Sequence, residues 1–461
     1  MKTIAIILAA GYGIRFDENR PKQLLKVAGK TVLEHSIDAF EKTPGINEIA
    51  IVINPEIKLL VDELIVKNKW KKVMRTLNGG EQRHNSSISA ICAYSDYPDD
   101  TNMIFHDGTR PLVDPLLITS LLEKMREYDA VTVSLPAGDA MMISDASRNE
   151  VVKIPERKYM YRMQTPQGVK LGVIRKAYEL GMKDPAFNDV EECGVVLHYQ
   201  PHVKIASIPG DQKNIKLTFP EDAYLLDKLF QIQSINIKDK LDKDALKDKV
   251  IVVFGGNTGI GADIIKIASL CGSRCHAFSR HITRTDITNQ DSIKKILADV
   301  DSLEGKIDFV VNTAAVLIKV PLMVMDEKSI RNTIETNYYG NINIAMAAYP
   351  YLKKTKGHLL LFTSSSYTRG RELYSLYSST KAAVVNFTQA IAEEWEHDGI
   401  HINCICPERT KTPMRVANFG VENVDTLLKS ENVAKVSLLA LLSDINGQVV
   451  DVKVRDFAET K

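Results

Sequence analysis

Three residues in the second half of the chain have types and a spacing that suit proton transfer. Tyr377 and Lys381 are four residues apart, so both project from one face of a helix. A lysine beside a phenol lowers the phenol's pKa, and the hydroxyl of Ser364 can hold a carbonyl group. Together they predict a site in which Tyr377 donates a proton to a carbonyl oxygen while a hydride arrives from a nicotinamide.

A glycine-rich loop lies upstream of these residues. Such loops are common, but the sequence on either side of this one indicates a nucleotide-binding site. The segment FGGNTGIG follows the apolar run KVIVV and precedes the helical stretch ADIIKIASL. Strand, glycine turn and helix in this order are typical of a dinucleotide site with the pyrophosphate at the helix N-terminus. The residues predicted to bind the cofactor here are Gly255, Asn257, Gly259, Ile260 and Gly261.

The end of the next strand, RCHAFSR, predicts which nicotinamide cofactor is used. An NAD enzyme places an acid at this point to bind the adenosine ribose 2′-hydroxyl. This chain has Ser279 followed by Arg280, which can hydrogen-bond and charge-pair with a 2′-phosphate that an acid would repel. The sequence therefore predicts NADPH, with Arg284 as a second cation nearby.

The first half opens with another candidate site. Its first apolar run ends in LAAGYGIRF, and glycines at a strand end let backbone N–H groups approach an anion closely. Arg15 and Lys22 add positive charge beside this loop. A glycine-rich turn by itself often marks only a tight turn, but with two cations it favours a phosphate site that includes Ala10 and Gly11.

Four further motifs follow in residues 1–230: NGGEQRHNSS, HDGTRPLV, ERKYMYRMQTPQ and NIKLTFPED. In type and order they resemble the family of 2-C-methylerythritol 4-phosphate and ribitol-5-phosphate cytidylyltransferases. The resemblance implies that the first motif recognises cytosine and ribose, the third binds the acceptor phosphate, and the last supplies an active-site lysine. The residues that it nominates are Gly80, Glu81, Ser86, Asp107, Arg110, Arg157, Thr165 and Lys216.

Such a site would transfer a cytidylyl group: a phosphate oxygen attacks the α-phosphorus of CTP, and pyrophosphate leaves. Arg15, Lys22 and Lys216 would neutralise the charge that grows there, with Mg²⁺ bridging the CTP oxygens. The alternative is that both lysines are surface residues. Asp107 is the one candidate protein ligand for the metal, and its alternative is to cap a turn. Ala140 stands where the family often has threonine, which leaves the acceptor alcohol open.

The second half resembles the short-chain dehydrogenase/reductase family over residues 249–455. Beside the glycine loop and the serine, tyrosine and lysine, the resemblance rests on DITN, NTAA, TNYYG and CPERTKT. It implies that Asn337 joins the catalytic residues. The further cofactor-binding residues that it implies are Asp286, Asn312, Ala314 and Thr412.

Three segments depart from that family's pattern. The usual proline-glycine after the sixth strand is Pro407-Glu408, and the usual terminal aspartate-glycine-glycine reads GQVVDVKV. The segment between Arg280 and Asp286 is short, which predicts a trimmed crossover after the second strand. We expect these changes to alter the shape around the cofactor and not the catalytic residues.

Arg369 and Arg371 lie between Ser364 and Tyr377, where the family forms part of its substrate pocket. A guanidinium fork suits a phosphate dianion, so both are predicted to bind the phosphate of the reductase substrate. The alternative is that both are solvated surface arginines.

Composition excludes several other classes of protein. The formal net charge of the 461 residues is +1, which argues against broad binding of nucleic acid or an anionic membrane. The six cysteines form no CxxC pair or zinc-ligand array, so we expect free thiols in a cytoplasmic protein. The lysine and short apolar run at the N-terminus imitate a signal peptide, but the glycine-rich basic loop after them favours a buried first strand.

Apolar runs alternate with helical stretches along the whole chain, which predicts an α/β fold with two doubly wound, Rossmann-like domains. In the first half the predicted strands are TIAIILAA, EIAIVI, NMIFHD and DAVTVSL. In the second half they are KVIVVFGG, RCHAFS, DFVVNTAA, HLLLFTSS and IHINCICP. The highly charged segment KDKLDKDALKDK suits a solvated connector. The predicted division is a cytidylyltransferase domain at 1–235, a linker at 236–248 and a reductase domain at 249–461.

A chain with both resemblances is similar to bacterial bifunctional enzymes. These reduce D-ribulose 5-phosphate to ribitol 5-phosphate with NADPH, and then convert the ribitol 5-phosphate to CDP-ribitol with CTP. The chemistry is consistent, because reducing the ketone yields the phosphate monoester that a cytidylyltransferase needs. One alternative is a methylerythritol phosphate cytidylyltransferase with an unrelated reductase attached. Another makes one half a degenerate scaffold or dimerisation module. Both families commonly dimerise, so a homodimer with small-molecule substrates is expected.

Overall fold

The computed structural model describes residues 2–11, 21–145, 147, 149–188, 191–233 and 240–457, with no side chains considered for 231–233. The chain forms two compact units, Met1–Asp227 and Lys228–Lys461. The predicted linker at 236–248 falls partly outside the described residues, so the predicted domain limits remain predictions.

The first unit is built around a mixed sheet. Its strands are β1 Thr3–Ala9, β2 Lys26–Val27, β3 Lys30–Thr31, β4 Glu48–Ile53, β5 Val73–Asn78, β6 Asn102–Asp107, β7 Ala130–Pro136, β8 Ile143–Ser144, β9 Val151–Lys153, β10 Tyr161–Lys170 and β11 Ile205–Pro209. Its helices are α1 Val32–Lys42, α2 Lys58–Asn68, α3 Arg83–Ala93, α4 Pro115–Lys124, α5 Leu171–Gly181, α6 Glu192–Tyr199 and α7 Pro220–Gln233.

Among the described residues, seven of these strands form the main sheet in the order β11-β7-β10-β6-β1-β4-β5. Strand β10 runs antiparallel to β6 and β7, while β1 is parallel to both β4 and β6. The apolar runs of β1 and β4 are buried along their whole length because helices cover both faces of the sheet. The four strands predicted in this half are confirmed, whereas β5, β10 and β11 were missed.

The second unit has a parallel sheet. Its strands are β12 Val250–Phe254, β13 Arg274–Phe278, β14 Phe309–Asn312, β15 His358–Phe362, β16 His401–Pro407 and β17 Val449–Val452. Its helices are α8 Lys243–Leu246, α9 Gly259–Leu270, α10 Gln290–Glu304, α11 Glu327–Ile334, α12 Gly340–Thr355, α13 Ser375–Glu394, α14 Pro413–Phe419 and α15 Ser430–Leu442. The five predicted strands of this half are confirmed, and β17 was missed.

Within the described residues this sheet has the order β13-β12-β14-β15-β16-β17, with every pairing parallel. The segment between β13 and α10 contains no strand, so β13 is the edge of the sheet. The crossover after the second strand is thus trimmed, as the short segment predicted. The α/β class and two Rossmann-like units are confirmed.

Each sheet has a cluster of buried apolar side chains on both of its faces. Each unit therefore has a hydrophobic core of its own. Leu246 of α8 is fully buried in a cluster of the second unit, so this part of the charged segment packs rather than standing in solvent. All six cysteines are free thiols. No helix in the described ranges is both long and apolar enough to cross a membrane.

Candidate functional sites

Asp107, the last residue of β6, is the centre of an ion cluster in the first unit. Its Oδ2 atom lies 3.0 Å from Lys216 Nζ and 3.2 Å from Arg110 Nε, and its Oδ1 atom lies 3.3 Å from Arg83 Nε. Its backbone N–H donates to Thr165 Oγ1 at 3.0 Å. Four residues that the sequence nominated from three separate motifs, namely Asp107, Arg110, Thr165 and Lys216, are therefore brought together.

The electrostatics of this cluster follow from burial and compensation. Burial by itself would raise the pKa of Asp107, but Lys216, Arg83 and Arg110 hold that pKa well below its ordinary range. The carboxylate is thus charged and surrounded by cations. Both of its oxygens contact cationic side chains, and no group of three potential metal ligands occurs among the described residues.

Arg83 was not nominated from the sequence, yet it contacts three carboxylates. Its guanidinium forms hydrogen bonds of 2.9–3.0 Å to both oxygens of Glu192, a fully buried residue at the start of α6, and lies 3.5 Å from Glu191. Burial raises the pKa of Glu191, and Arg83 opposes that shift. The available signal was that Arg83 is the one arginine of the motif NGGEQRHNSS.

The described start of the glycine-rich loop, at Ala10 and Gly11, lies next to the segment between β5 and α3. A Cβ atom on Gly79 would lie 2.2 Å from Ala10 Cβ and 2.7 Å from Ser86 Oγ, so only glycine permits this approach. The N–H of Gly80 donates to Ser86 Oγ at 3.3 Å. Gln23, which the sequence did not nominate, donates to the carbonyl oxygens of residues 9 and 11 at 2.8 and 3.4 Å.

Other nominated residues of this half are placed differently. Arg15 lies outside the described residues. Lys22 begins the short turn Lys22–Leu24, and Glu81 is exposed just before α3. Arg157 is also exposed, and its Nε donates to Ala137 O at 3.3 Å. Among the described residues, Arg157 and Asp107 share no hydrogen bond or ion pair.

In the second unit, Ser364 follows β15, and Tyr377 and Lys381 lie on α13 as predicted. Burial raises the pKa of Tyr377 to about 12, opposed by a hydrogen bond to Ser364 and by the charge of Arg415. Burial lowers the pKa of Lys381 to about 8. The Lys381 Nζ atom donates to Phe362 O at 2.7 Å and lies 5.6 Å from the centre of the Tyr377 ring.

The expectation that the lysine lowers the phenol pKa is therefore wrong for this structure. Burial acts on both groups and favours the uncharged form of each. At neutral pH the Tyr377 phenol keeps its proton, as a proton donor requires.

Asn337 lies in a π-helical turn, Glu335–Tyr339, between α11 and α12. Its side chain accepts from the N–H of Val316 and donates to the carbonyl oxygen of Val316, both at 2.8 Å. Asn341, which the sequence did not nominate, donates to Asn337 O at 2.7 Å and accepts from Asn312 Nδ2 at 2.8 Å. Two buried asparagines, Asn312 and Asn341, thus connect the end of β14 to Asn337.

A cavity of about 890 Å³ lies along the carboxyl edge of this sheet. The nominated residues on its wall are Gly255, Gly259, Ile260, Ser279, Arg280, Ala314, Ser364, Arg371, Tyr377, Lys381 and Thr412. The nominated residues that are not on the wall are Asn257, Gly261, Asp286, Asn312, Asn337 and Arg369. Both arginines are exposed, but only Arg371 is on the cavity wall.

The glycine loop of the cavity fits a dinucleotide. Gly255 has φ +78°, and a Cβ atom on it would lie 2.7 Å from Ala314 N. A Cβ atom on Gly261 would lie 2.4 Å from Gly255 O, so this glycine lets α9 pack against the loop. The result is an open helix N-terminus facing the cavity, as pyrophosphate binding requires.

Arg280 and Asp286, both expected near the adenosine, contact each other. Arg280 Nη2 lies 3.6 Å from Asp286 Oδ1 and 3.3 Å from Thr336 Oγ1. Asp286 also accepts from the N–H and hydroxyl of Thr288, at 3.0 and 2.9 Å. Its carboxylate is engaged in this turn, and its neighbours Thr285 and Ile287 are on the cavity wall instead.

Comparison with known proteins covers both units. Residues 3–231 match the family model of 2-C-methyl-D-erythritol 4-phosphate cytidylyltransferase, and residues 264–445 match the model described as enoyl-(acyl carrier protein) reductase. A protein of Haemophilus influenzae named bifunctional ribulose 5-phosphate reductase/CDP-ribitol pyrophosphorylase Bcs1 is 44% identical over 459 residues, which cover 99% of this chain and 96% of that protein. This chain belongs to the same family.

Other similarities cover one unit each. The 2-C-methyl-D-erythritol 4-phosphate cytidylyltransferase of Thermobifida fusca is 37% identical over 50% of this chain and 94% of its own length. The crystal structure of 4-diphosphocytidyl-2C-methyl-D-erythritol synthase from Anaerococcus prevotii is 24% identical, with a TM-score of 0.45, over 50% of this chain and 96% of that one. The predicted pairing of a cytidylyltransferase with a nicotinamide-dependent reductase is confirmed.

Two of the departures from the reductase pattern compensate each other in this family member. Glu408, which replaces the usual glycine, turns its carboxylate towards the C-terminal segment and accepts from Val454 N at 2.9 Å. Its own N–H donates to Val452 O at 2.8 Å. The residue after β16 therefore anchors the segment after β17, where the usual glycines are missing.

We predict that Arg83→Met destabilises the first unit by about 3–5 kcal/mol, because Glu192 becomes a buried charge without its cation. The double variant Arg83→Met/Glu192→Met should recover much of this loss, since neither charge is then left unpaired. Urea unfolding of both variants measures the difference. Arg126→Met, at an exposed site, is the control. Equal losses in the single and double variants would contradict the coupling.

Proposed function

We propose that this enzyme reduces D-ribulose 5-phosphate to D-ribitol 5-phosphate with NADPH, and then transfers a cytidylyl group from CTP to give CDP-ribitol and pyrophosphate. The observation that carries the proposal is the 44% identity to the Haemophilus influenzae enzyme across 99% of this chain. Because that likeness spans both units, it favours linked reactions over a methylerythritol phosphate enzyme with an unrelated reductase. Cytoplasmic synthesis of a capsule or wall-polymer precursor is the role we infer.

In the first unit, catalysis would depend on charge and position. Lys216, with Arg15 and Lys22, would neutralise the charge that grows at the α-phosphate and the leaving pyrophosphate. Mg²⁺, bound mainly through CTP oxygens, would supply further charge compensation. Asp107 would then act as the anchor that fixes Lys216 at 3.0 Å and Arg110 at 3.2 Å, since its oxygens already contact cations.

The remaining nominated residues of this unit would bind the two substrates. Gly80 and Ser86, which share a hydrogen bond, would contact the cytidine together with Glu81. Arg157 and Thr165 would bind the acceptor phosphate. The loop at Ala10 and Gly11 would cover the CTP phosphates with its N–H groups.

In the second unit, NADPH would supply the hydride, and the residues of this chain would handle the proton and the ketone. Ser364 would hold the ketone oxygen beside the Tyr377 phenol, which carries its proton at neutral pH. Lys381 would position the cofactor next to that phenol. Arg371, on the cavity wall, would attract the substrate phosphate, whereas Arg369 has no such position.

Feeding the purified enzyme CTP with each candidate acceptor phosphate, and measuring pyrophosphate, tests the proposal directly. Ribitol 5-phosphate should be the preferred acceptor, and D-ribulose 5-phosphate should become one only when NADPH is added. A preference for methylerythritol 4-phosphate would favour the alternative enzyme. No pyrophosphate with any acceptor would favour a scaffold role for the first unit.

We predict that the two activities can be removed separately, because each unit has its own core and its own site. Lys216→Ala should lower cytidylyl transfer at least ~10²-fold, the usual effect of removing a transition-state charge, and leave ketone reduction near normal. Tyr377→Phe should do the reverse. Initial rates of each half-reaction measure both effects. Loss of both activities in either folded variant would contradict the two-site model.

We predict a preference for NADPH over NADH of at least ~10-fold in kcat/KM, because one charge-assisted contact to the 2′-phosphate contributes ~1.5–3 kcal/mol. The preference should shrink in Arg280→Ala and with added salt, which screens the pair. Arg331→Ala, whose guanidinium pairs with Glu327 on the surface, should keep the preference and serves as the control. Equal use of both cofactors by the unmodified enzyme would contradict the assignment.

We also propose that the enzyme is a homodimer formed through the segment 137–160. Its described residues include exposed apolar side chains on and beside the two-stranded sheet of β8 and β9, such as Val152 (65%), Ile154 (70%) and Tyr159 (70%). A two-stranded sheet is marginally stable without cover, and a second copy of this segment would bury these side chains.

The dimer should dissociate in Ile154→Asp, as measured by sedimentation equilibrium. Leu59→Asp, which changes an exposed leucine of α2, should leave the mass unchanged. A monomeric unmodified enzyme would exclude the dimer.

A further inference from the structure

Three cations of the second unit gather around one carboxylate. Arg415, on α14, forms a two-pronged ion pair with Glu422, with Nε–Oε2 and Nη2–Oε1 distances of 2.6 and 2.9 Å. Lys319 Nζ and the Arg415 guanidinium lie 4.6 and 4.4 Å from the centre of the Phe419 ring. The hydrogen bond from Arg415 lowers the pKa of Glu422 most, and the charges of Arg409 and Lys319 lower it further.

Most of this group lies on the wall of the reductase cavity. Arg409, Arg415, Phe419 and Glu422 line it together with Tyr377, and Lys319 contacts this wall through the Phe419 ring. The ring of Tyr374 connects the two regions, with its centre 5.9 Å from Phe419 and 6.2 Å from Tyr377. A ligand held beside Phe419 would therefore extend towards the phenol that protonates the ketone.

The charges of the group do not cancel. Glu422 is already paired with Arg415, and the other acid of this wall, Glu408, is turned towards Val454 N. Among the residues that the structure describes, the side chains of Arg409 and Lys319 have no hydrogen-bond or ion-pair partner. Three cations against one carboxylate leave two positive charges, which is the complement of a phosphate monoester dianion.

We propose that Lys319, Arg409 and Arg415 form the subsite that binds the phosphate group of the reductase substrate, with Glu422 fixing the orientation of Arg415. The proposal rests on the proposed function and deepens it. Arg371 supplies a cation from the segment before α13, whereas these three come from the segments after β14 and β16. The subsite would make the enzyme select a phosphorylated ketose over the free sugar.

Arg409→Gln tests the subsite, with Lys411→Gln as a control, because Lys411 is exposed two residues farther along and is not on the cavity wall. The KM for D-ribulose 5-phosphate should rise at least ~10-fold in Arg409→Gln, the low end for losing one charge-assisted hydrogen bond. The KM for D-ribulose should change less than about 2-fold, as should kcat with saturating phosphorylated substrate. Lys319→Gln should act in the same direction with a smaller effect, because Arg409 is on the cavity wall whereas Lys319 contacts that wall only through the Phe419 ring.

A second measurement is independent of activity. Inorganic phosphate titrated into the enzyme saturated with NADP⁺ should bind more weakly to Arg409→Gln than to the unmodified enzyme or Lys411→Gln. Equal KM changes for the two sugars, or unchanged phosphate binding in both Arg409→Gln and Lys319→Gln, would overturn the subsite. An unmodified enzyme that binds phosphate at this subsite but does not reduce D-ribulose 5-phosphate would overturn the proposed function and leave the subsite in place.

Discussion

Both sites depend on one geometric constraint, which is that parallel strands end at a common edge of their sheet. In the first unit, Asp107 ends β6 next to the loop that follows β1, since β1 and β6 pair in register through residues 8 and 107. In the second unit the ends of β12, β14, β15 and β16 deliver the glycine loop, Ala314, the serine and the loop with Arg409 to one cavity. Helices on both faces exclude water from the strands, so the open edge is where polar side chains can meet a ligand.

The two candidate sites hold their buried ionisable groups in opposite ways. In the first unit, Asp107 stays charged because Arg83, Arg110 and Lys216 surround it. In the second unit, burial is the largest influence on Tyr377 and Lys381 and favours their neutral forms, with pKa values of about 12 and 8. The difference suits the chemistry, since cytidylyl transfer needs fixed charge whereas ketone reduction needs a phenol that still carries its proton.

The departures from the reductase pattern show how a local change can be absorbed. Glu408 lines the cavity, but its carboxylate accepts a hydrogen bond from Val454 N and is thereby held to the segment after β17. The same loop then carries Arg409 and Thr412 onto the cavity wall. The glutamate after β16 and the segment without the usual glycines at β17 are thus joined by hydrogen bonds, so the two departures from the family pattern occur together in one part of the structure.

The sequence by itself determined the features that depend on near neighbours. Runs of buried aliphatic residues identified nine strands, a spacing of four residues placed Tyr377 and Lys381 on one helix face, and glycine spacing located the dinucleotide loop. Ordered motifs also identified Asp107, Arg110, Thr165 and Lys216, though not that they touch.

Only the tertiary structure decided which distant residues become neighbours. The contacts of Arg83 with Glu192, Asn341 with Asn312, and Lys319 with the Phe419 ring join segments whose distance in the sequence carries no signal. Strand order and helix packing set these contacts. Burial, a property of the whole fold, then reversed the expected shift of the Tyr377 pKa, because the desolvation of a side chain depends on everything packed around it.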